Sequence, residues 1–215
     1  LTTWVAAGEK PPRFAWLAVG PFVILAAAAV WLYLGWDRIP ARFPVHWGAG
    51  GQPNRWAERT VMGVYGCLLY GTELCTWLAA MALAGWYGTR RSRARPLMLG
   101  VLVAVEYLLG VLLALTALEP LLATPVWVIV LLPVVVVIPT LLVVIRKMSG
   151  VREPLTVAPA RCWKAGAFYW NPADAALFVP KRDGLGYTLN MANRWAWVLL
   201  GTLALVIASA WFVLP

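Results

Sequence analysis

Residues 14–36 read FAWLAVGPFVILAAAAVWLYLGW, twenty-three positions without one charged side chain. A bilayer's hydrocarbon core is about 30 Å thick and takes about 20 helical residues to cross. This stretch therefore has the length and composition of a membrane span. Four more apolar runs follow, at 61–87, 97–118, 124–145 and 195–214. Hydrocarbon offers the backbone no hydrogen-bond partners, so each run is expected to be a helix. The expected fold class is all-α: a polytopic membrane helical bundle of about five transmembrane helices. No small-residue cleavage motif follows the first run, which is expected to be a retained helix and not a signal peptide. In the fourth run, Pro133 and Pro139 each delete a helical hydrogen bond, and a kink is expected there.

Composition agrees with this reading. Of 215 residues, 62% are hydrophobic and 13% are charged, against about 25% charged in a soluble domain. The formal charge of +9 is unevenly spread along the chain. Fourteen Lys and Arg lie in the N-terminal segment, the 90–95 turn and the 146–194 segment, and four (Arg38, Arg42, Arg55, Arg59) lie in the 37–60 loop. The positive-inside rule then places the N-terminus in the cytoplasm and the C-terminus outside. Anionic inner-leaflet lipids account for the basic balance without nucleic acid. Cys67 and Cys75 fall in the second run, Cys162 lies in the predicted cytoplasmic segment, and no C-x-x-C occurs, so neither a zinc site nor a disulfide framework is expected. Trp16, Trp31, Trp36, Trp86, Trp127, Trp195 and Trp211 cluster near run ends, as interfacial aromatics do.

Two connections are longer than chain closure requires: 37–60, expected outside, and 146–194, expected in the cytoplasm. Both are rich in Trp, Pro, Gly and Asn, which predicts ordered backbone. The first contains the only histidine, His46. A zinc site commonly takes four ligands, and no second histidine or cysteine stands near, so a metal is not expected. General acid or base chemistry would need an orienting partner, and Asp37 and Glu58 are the nearby carboxylates. Pro40, Pro44 and Pro53 restrict φ, Gly48, Gly50 and Gly51 relax it, and Trp47 and Trp56 supply amphipathic surface. A shaped loop for a ligand or partner is expected, with His46 either anchoring it by a hydrogen bond or acting as a proton sensor. In the second connection Lys181 and Arg182 precede a glycine turn, suited to anionic head groups or a docking partner. Asn190 and Asn193 are placed to cap the following helix.

The stretches WDRIPARFPVHWGAGGQPNRWAERT (36–60) and FYWNPADAALFVPKRDGLGYTLNMANRWAW (168–197) carry a resemblance. The first resembles the extracytoplasmic motif of the DUF1648 domain found in SdpI-like bacterial membrane proteins. The second resembles the DUF5808 motif, carried by Asn171, Pro180, Lys181, Arg182, Gly184, Gly186, Tyr187, Asn190 and Asn193. The resemblance implies a DUF1648/SdpI-like transmembrane region over 1–145, then a DUF5808-like segment and a last span over 146–215. It further implies a multi-pass protein of the bacterial cytoplasmic (inner) membrane, in a group that includes immunity and signalling proteins.

Glu73 and Glu106 lie inside predicted spans, where a charge costs roughly 2.5–3.5 kcal/mol or more. Counted from Arg91, they stand 18 residues back and 15 forward. That sets them within about 4–5 Å in depth at 1.5 Å per residue. If they face each other, a shared proton follows.

The leading expectation is a non-enzymatic SdpI-like membrane protein that senses or binds a partner. Its partners would be membrane lipids together with another membrane protein or a cytoplasmic regulator, not nucleic acid. An accessory subunit of a larger electron-transfer or photosynthetic membrane complex is the rival, and an ion-coupled transporter using Glu73 and Glu106 is third. No cofactor is predicted, with lipid or pigment contact left open.

Overall fold

A computed structural model describes residues 10–48, 50–89, 95–123, 159–182 and 186–214, together with scattered positions between 125 and 146. A 3-10 helix, Arg13–Val19, runs into α1, Gly20–Leu34. Strands β1 (Arg42–Trp47) and β2 (Pro53–Glu58) form a hairpin, followed by α2, Val61–Gly88, and α3, Arg95–Leu122. Two short hairpins follow: β3 (Trp163–Lys164) with β4 (Phe168–Tyr169), and β5 (Phe178–Pro180) with β6 (Tyr187–Leu189). The last described helix is α4, Arg194–Val213.

The fold is mostly helical, and among the described residues four helical stretches, Arg13–Leu34, α2, α3 and α4, are long and apolar enough to cross a membrane. Of the predicted fourth span at 124–145, residues 127–129, 131, 134, 135, 138, 139, 142 and 143 are helical. Pro125 precedes them as non-helical backbone whose carbonyl accepts from Val128 N at 2.8 Å, and the other positions of that run, Pro133 and its expected kink included, lie outside the described residues. The expected helical class is shown in its coarse form, with one addition: among the described residues three two-stranded antiparallel sheets accompany the helices. Strands β3 to β6, of two or three residues each, are too short to show a period-2 pattern in sequence, and in the six-residue β1 and β2 the register shifts around His46 and a run of exposed residues break that pattern.

The helices turn apolar side chains outward, as a bilayer permits. Trp211 is 89% exposed, Phe212 80% and Leu205 71%. Between helices the contact is close and built on small residues. A Cβ on Gly110 of α3 would lie 3.0 Å from Pro21 Cβ of α1 and 3.7 Å from Cys75 Sγ of α2. α1, α2 and α3 pack together, and α4 docks on α2.

The β1–β2 hairpin and the β3–β6 platform sit at opposite ends of α2. Glu58 ends β2 just before α2 begins, while Gly88 O at its far end accepts from Leu177 N at 2.8 Å and Thr89 bridges to Phe178. The 28 residues of α2 separate the two by about 42 Å at 1.5 Å per residue. α3 ends beside the hairpin, where Leu121 packs on the core cluster containing Phe43. The stretch 123–158 thus joins points at opposite ends of the bundle.

Candidate functional site

In the hairpin one residue of each strand, Phe43 and Ala57, is buried, and the others are exposed or half-buried. Phe43 pairs with Ala57 in register, and both are buried in a cluster with Leu25, Leu32, Ile39, Val64 and Leu118. That pair plugs the hairpin into α1, α2 and α3. Thr60 caps α2 by accepting from Gly63 N at 3.0 Å. Arg59 Nη1 donates to Ile39 O at 3.0 Å, with longer contacts to Trp36 O and Asp37 O at 3.4 and 3.5 Å, which satisfies carbonyls left over past the end of α1. Trp36 stacks on Tyr65 with ring centroids 6.2 Å apart.

The outward face carries the predicted loop residues. Pro44 is opposite Trp56, His46 opposite Arg55, and Trp47 opposite Pro53, with register shifts on both sides of His46. His46 is exposed, and its Nδ1–H donates to Asn54 Oδ1 at 2.5 Å. Gly51 closes the turn with φ +74°, a conformation that costs glycine nothing. The Arg42 guanidinium lies 5.6 Å from the ring centroid of Trp56, a cation–π contact. Pro40 is exposed between the Trp36–Arg38 turn and β1. The result is an exposed surface of aromatic and cationic groups.

At the other end the platform is organised around Asn190, which is fully buried. Its Nδ2 donates to Asn171 O at 3.0 Å and Asp174 O at 2.8 Å, and its Oδ1 accepts from Asn171 N at 3.1 Å and Ala192 N at 3.2 Å. All four hydrogen-bonding positions of the amide are used. Asn171 Nδ2 donates to the Tyr169 hydroxyl at 3.1 Å, and that hydroxyl donates to Asp174 Oδ2 at 3.0 Å. Burial, chiefly, and the neighbouring Asp174 push the Tyr169 phenol above its ordinary value. Asn193 caps α4 by accepting from Trp195 N at 3.0 Å. The expected cap at Asn190 is different in kind: its amide ties two loop segments together from inside. Lys181 and Arg182 are exposed, Lys181 N donates to Gly186 O at 3.0 Å, and Pro180 pairs with Tyr187. Arg182 lies 6.0 Å from the Trp163 ring. Gly184 lies outside the described residues.

Residues 22–69, from α1 through the hairpin into α2, match the family described as domain of unknown function DUF1648. Residues 172–197 match the family of unknown function DUF5808. Both resemblances read from the motifs are shown. The two matches cover about a third of the 215 residues. No curated protein and no solved structure matches the chain. The DUF1648 match contains the whole outward face of the hairpin, and the DUF5808 match contains Asp174, Asn190 and the cap of α4, with Asn171 one residue before it.

The intramembrane acids belong to different interfaces. Glu73 of α2 accepts a hydrogen bond from Ser209 of α4, beside Trp77 Nε1, which reaches Thr202 Oγ1 at 3.3 Å. Glu106 is 1% exposed and packs where Cys75 Sγ meets its backbone carbonyl at 3.7 Å. Residues 73 and 75 are about 200° apart around a helix of 3.6 residues per turn. Among the described residues no hydrogen bond joins the two carboxyls, so the face-to-face arrangement that a shared proton requires is not formed. No metal-binding group of three or more His, Cys, Asp or Glu occurs among the described residues.

Sequence reasoning missed four residues. Arg59 and Ser209 gave no local signal, because their partners are 20 and 136 positions away. Tyr169 and Asp174 acquire their roles only through Asn171 and Asn190. Arg95, counted among the loop charges, is 2% exposed, with Nη2 donating to Trp86 O and its guanidinium 4.2 Å from the Trp86 ring centroid.

Proposed function

We propose that this chain is a non-enzymatic, SdpI-like protein of the bacterial cytoplasmic membrane that recognises a partner at the β1–β2 hairpin and docks a second one at the β3–β6 platform. The basic residues gathered at the platform end support a cytoplasmic platform and N-terminus, with the hairpin outside. The observation that carries this reading is that both surfaces are locked to opposite ends of one helix, α2. Phe43 and Ala57 fix the hairpin at its start, and the Leu177–Gly88 bond and the Thr89–Phe178 bridge fix the platform at its end. A displacement of either surface is thus coupled directly to the helix that joins them. The hairpin's outward Arg42, Arg55 and Trp56 are of the types that dominate recognition surfaces, and His46 lies among them.

Single cysteines at Gly50 and Lys181, treated with a membrane-impermeant maleimide, test the orientation: Gly50 reacts in intact cells and Lys181 only after lysis. Labelling of both from one side refutes the reading. For function, His46→Ala and Trp56→Ala are expected to abolish protection of cells against a membrane-active toxin while the protein still purifies alone in mild detergent. The rival reading, an accessory subunit, draws on α4, whose one buried residue is Ala196. It expects a stoichiometric partner that survives both hairpin substitutions.

A further inference from the structure

An apolar cleft of about 290 Å³ opens between α2, α3 and the β5–β6 hairpin, lined by Met81, Met98, Val101, Leu102, Phe178 and Tyr187, with Gly186 at its lip. We infer that this cleft, with Lys181 and Arg182 beyond its lip, binds one acyl chain of an anionic phospholipid whose phosphate sits on the two basic side chains. The site is separate from the β1–β2 hairpin, lies at the edge of the β3–β6 platform, and rests only on the membrane-spanning reading of α2 and α3.

Three observations converge on that occupant. The cleft lies near the small end of the roughly 300–1,000 Å³ range of ligand clefts, a size suited to a slender chain and not to a side of a folded partner. Its walls are hydrocarbon and thioether, and Met81 and Met98 adapt to an irregular chain where branched side chains would not. Gly85 gives Met98 its room: a Cβ there would meet the Met98 methyl at 2.6 Å. Charge is complementary only at the lip. Lys181 is held beside Gly186 by its backbone bond, and both Lys181 and Arg182 are exposed. Arg13 is exposed at the start of the 3-10 segment that packs on α3, and Lys10 is exposed three residues before it. Asp174, the carboxylate among the platform's described residues, is turned inward to the Tyr169 hydroxyl and Ala176 N; Asp183 lies outside the described residues. The backbone bond from Lys181 to Gly186 puts this exposed basic pair next to one wall of an apolar cleft at a helix end, an arrangement suited to anionic head groups.

The experiment uses the full chain in phosphatidylcholine vesicles doped with a phosphatidylglycerol that carries a photoactivatable diazirine at one chain end. Adducts are located by peptide mass spectrometry. Labelling is expected to concentrate on Met81, Met98, Val101 and Leu102. It is expected to fall on the order of tenfold or more when the probe has a choline head group, or when Lys181→Gln and Arg182→Gln are combined. Val101→Trp fills the cleft and is expected to remove labelling at Met98 while leaving that of Leu205 and Phe212 on α4 unchanged. Labelling spread evenly over the outward faces of all helices overturns the proposal, as does equal labelling by both head groups. So does a cleft left unlabelled in the wild-type chain because another part of the protein covers it.

Discussion

Replacing Asn190 by alanine removes four hydrogen bonds at once: two donated to Asn171 O and Asp174 O, and two accepted from Asn171 N and Ala192 N. A typical intramolecular hydrogen bond contributes about 0.5–1.5 kcal/mol net, so four give roughly 2–6 kcal/mol. Asn171 and Ala192 are only partly buried, and water can replace part of what they lose, which places the expected cost at about 2–4 kcal/mol. At 1.4 kcal/mol per tenfold, opening of the platform rises roughly thirty- to several-hundredfold. Cys162 reports on that opening, because it is 8% exposed and packed with Tyr169, Ala176 and Val179. Its alkylation by a water-soluble reagent, resolved by peptide mass spectrometry, tracks the open population when closing outpaces modification. Asn190→Asp is expected to open the platform at least as far, since it keeps acceptors but faces two carbonyls without a donor. An alkylation rate within threefold of wild type in Asn190→Ala would refute the reasoning that this amide organises the platform.

Three further outcomes follow from the same geometry. Ser209→Ala removes the donor to Glu73 and is expected to weaken docking of α4 by about 0.6 kcal/mol and at most about 1.7, the range of interhelical bonds in membranes. Glu73→Gln keeps an acceptor and is expected to be nearly neutral; equal losses in a denaturant titration of the two variants would contradict this. Arg59→Met leaves the Ile39, Trp36 and Asp37 carbonyls without their cation and is expected to cost about 1.5–3 kcal/mol, seen as a lower Tm in detergent and faster proteolysis near 37–41. The Tyr169 phenol is raised in the folded state, so its contribution is present below the ordinary value of 10.0 and is lost as pH rises through the folded value. Cys162 alkylation, measured against a model thiol, is expected to accelerate across that alkaline window in wild type, and Tyr169→Phe is expected to abolish the step.

Legibility divides by range of interaction. The helices were readable because continuous hydrophobicity over twenty or more residues is a local property with one physical solution in hydrocarbon. The cap at Asn193 was readable for the same reason, since donor and acceptor are two residues apart. The hairpin was half readable. Its prolines and glycines announced a shaped backbone, but the pairing of Phe43 with Ala57 depends on a core supplied by α1, α2 and α3. The short strands of the platform carried no periodic signal at all.

By itself, then, the amino-acid order determined which stretches are long and apolar enough to cross a membrane, that two acids fall within them, and two motifs with recognisable spacing. Tertiary structure alone decided what each polar group in or near the membrane touches. A helix apolar on every side has no stripe to say which face meets a neighbour. Packing at small residues sets each rotation, Gly71 of α2 against Leu25 and Leu113 and Gly110 of α3 against Pro21 and Cys75, and these rotations turn Glu73 to Ser209 and leave Glu106 at another interface. Asn190 became a hub and not a cap because Asn171 and Asp174, 19 and 16 positions earlier, close over it. An amide's partners are fixed by the backbone that surrounds it in space, and no local window of sequence contains that backbone.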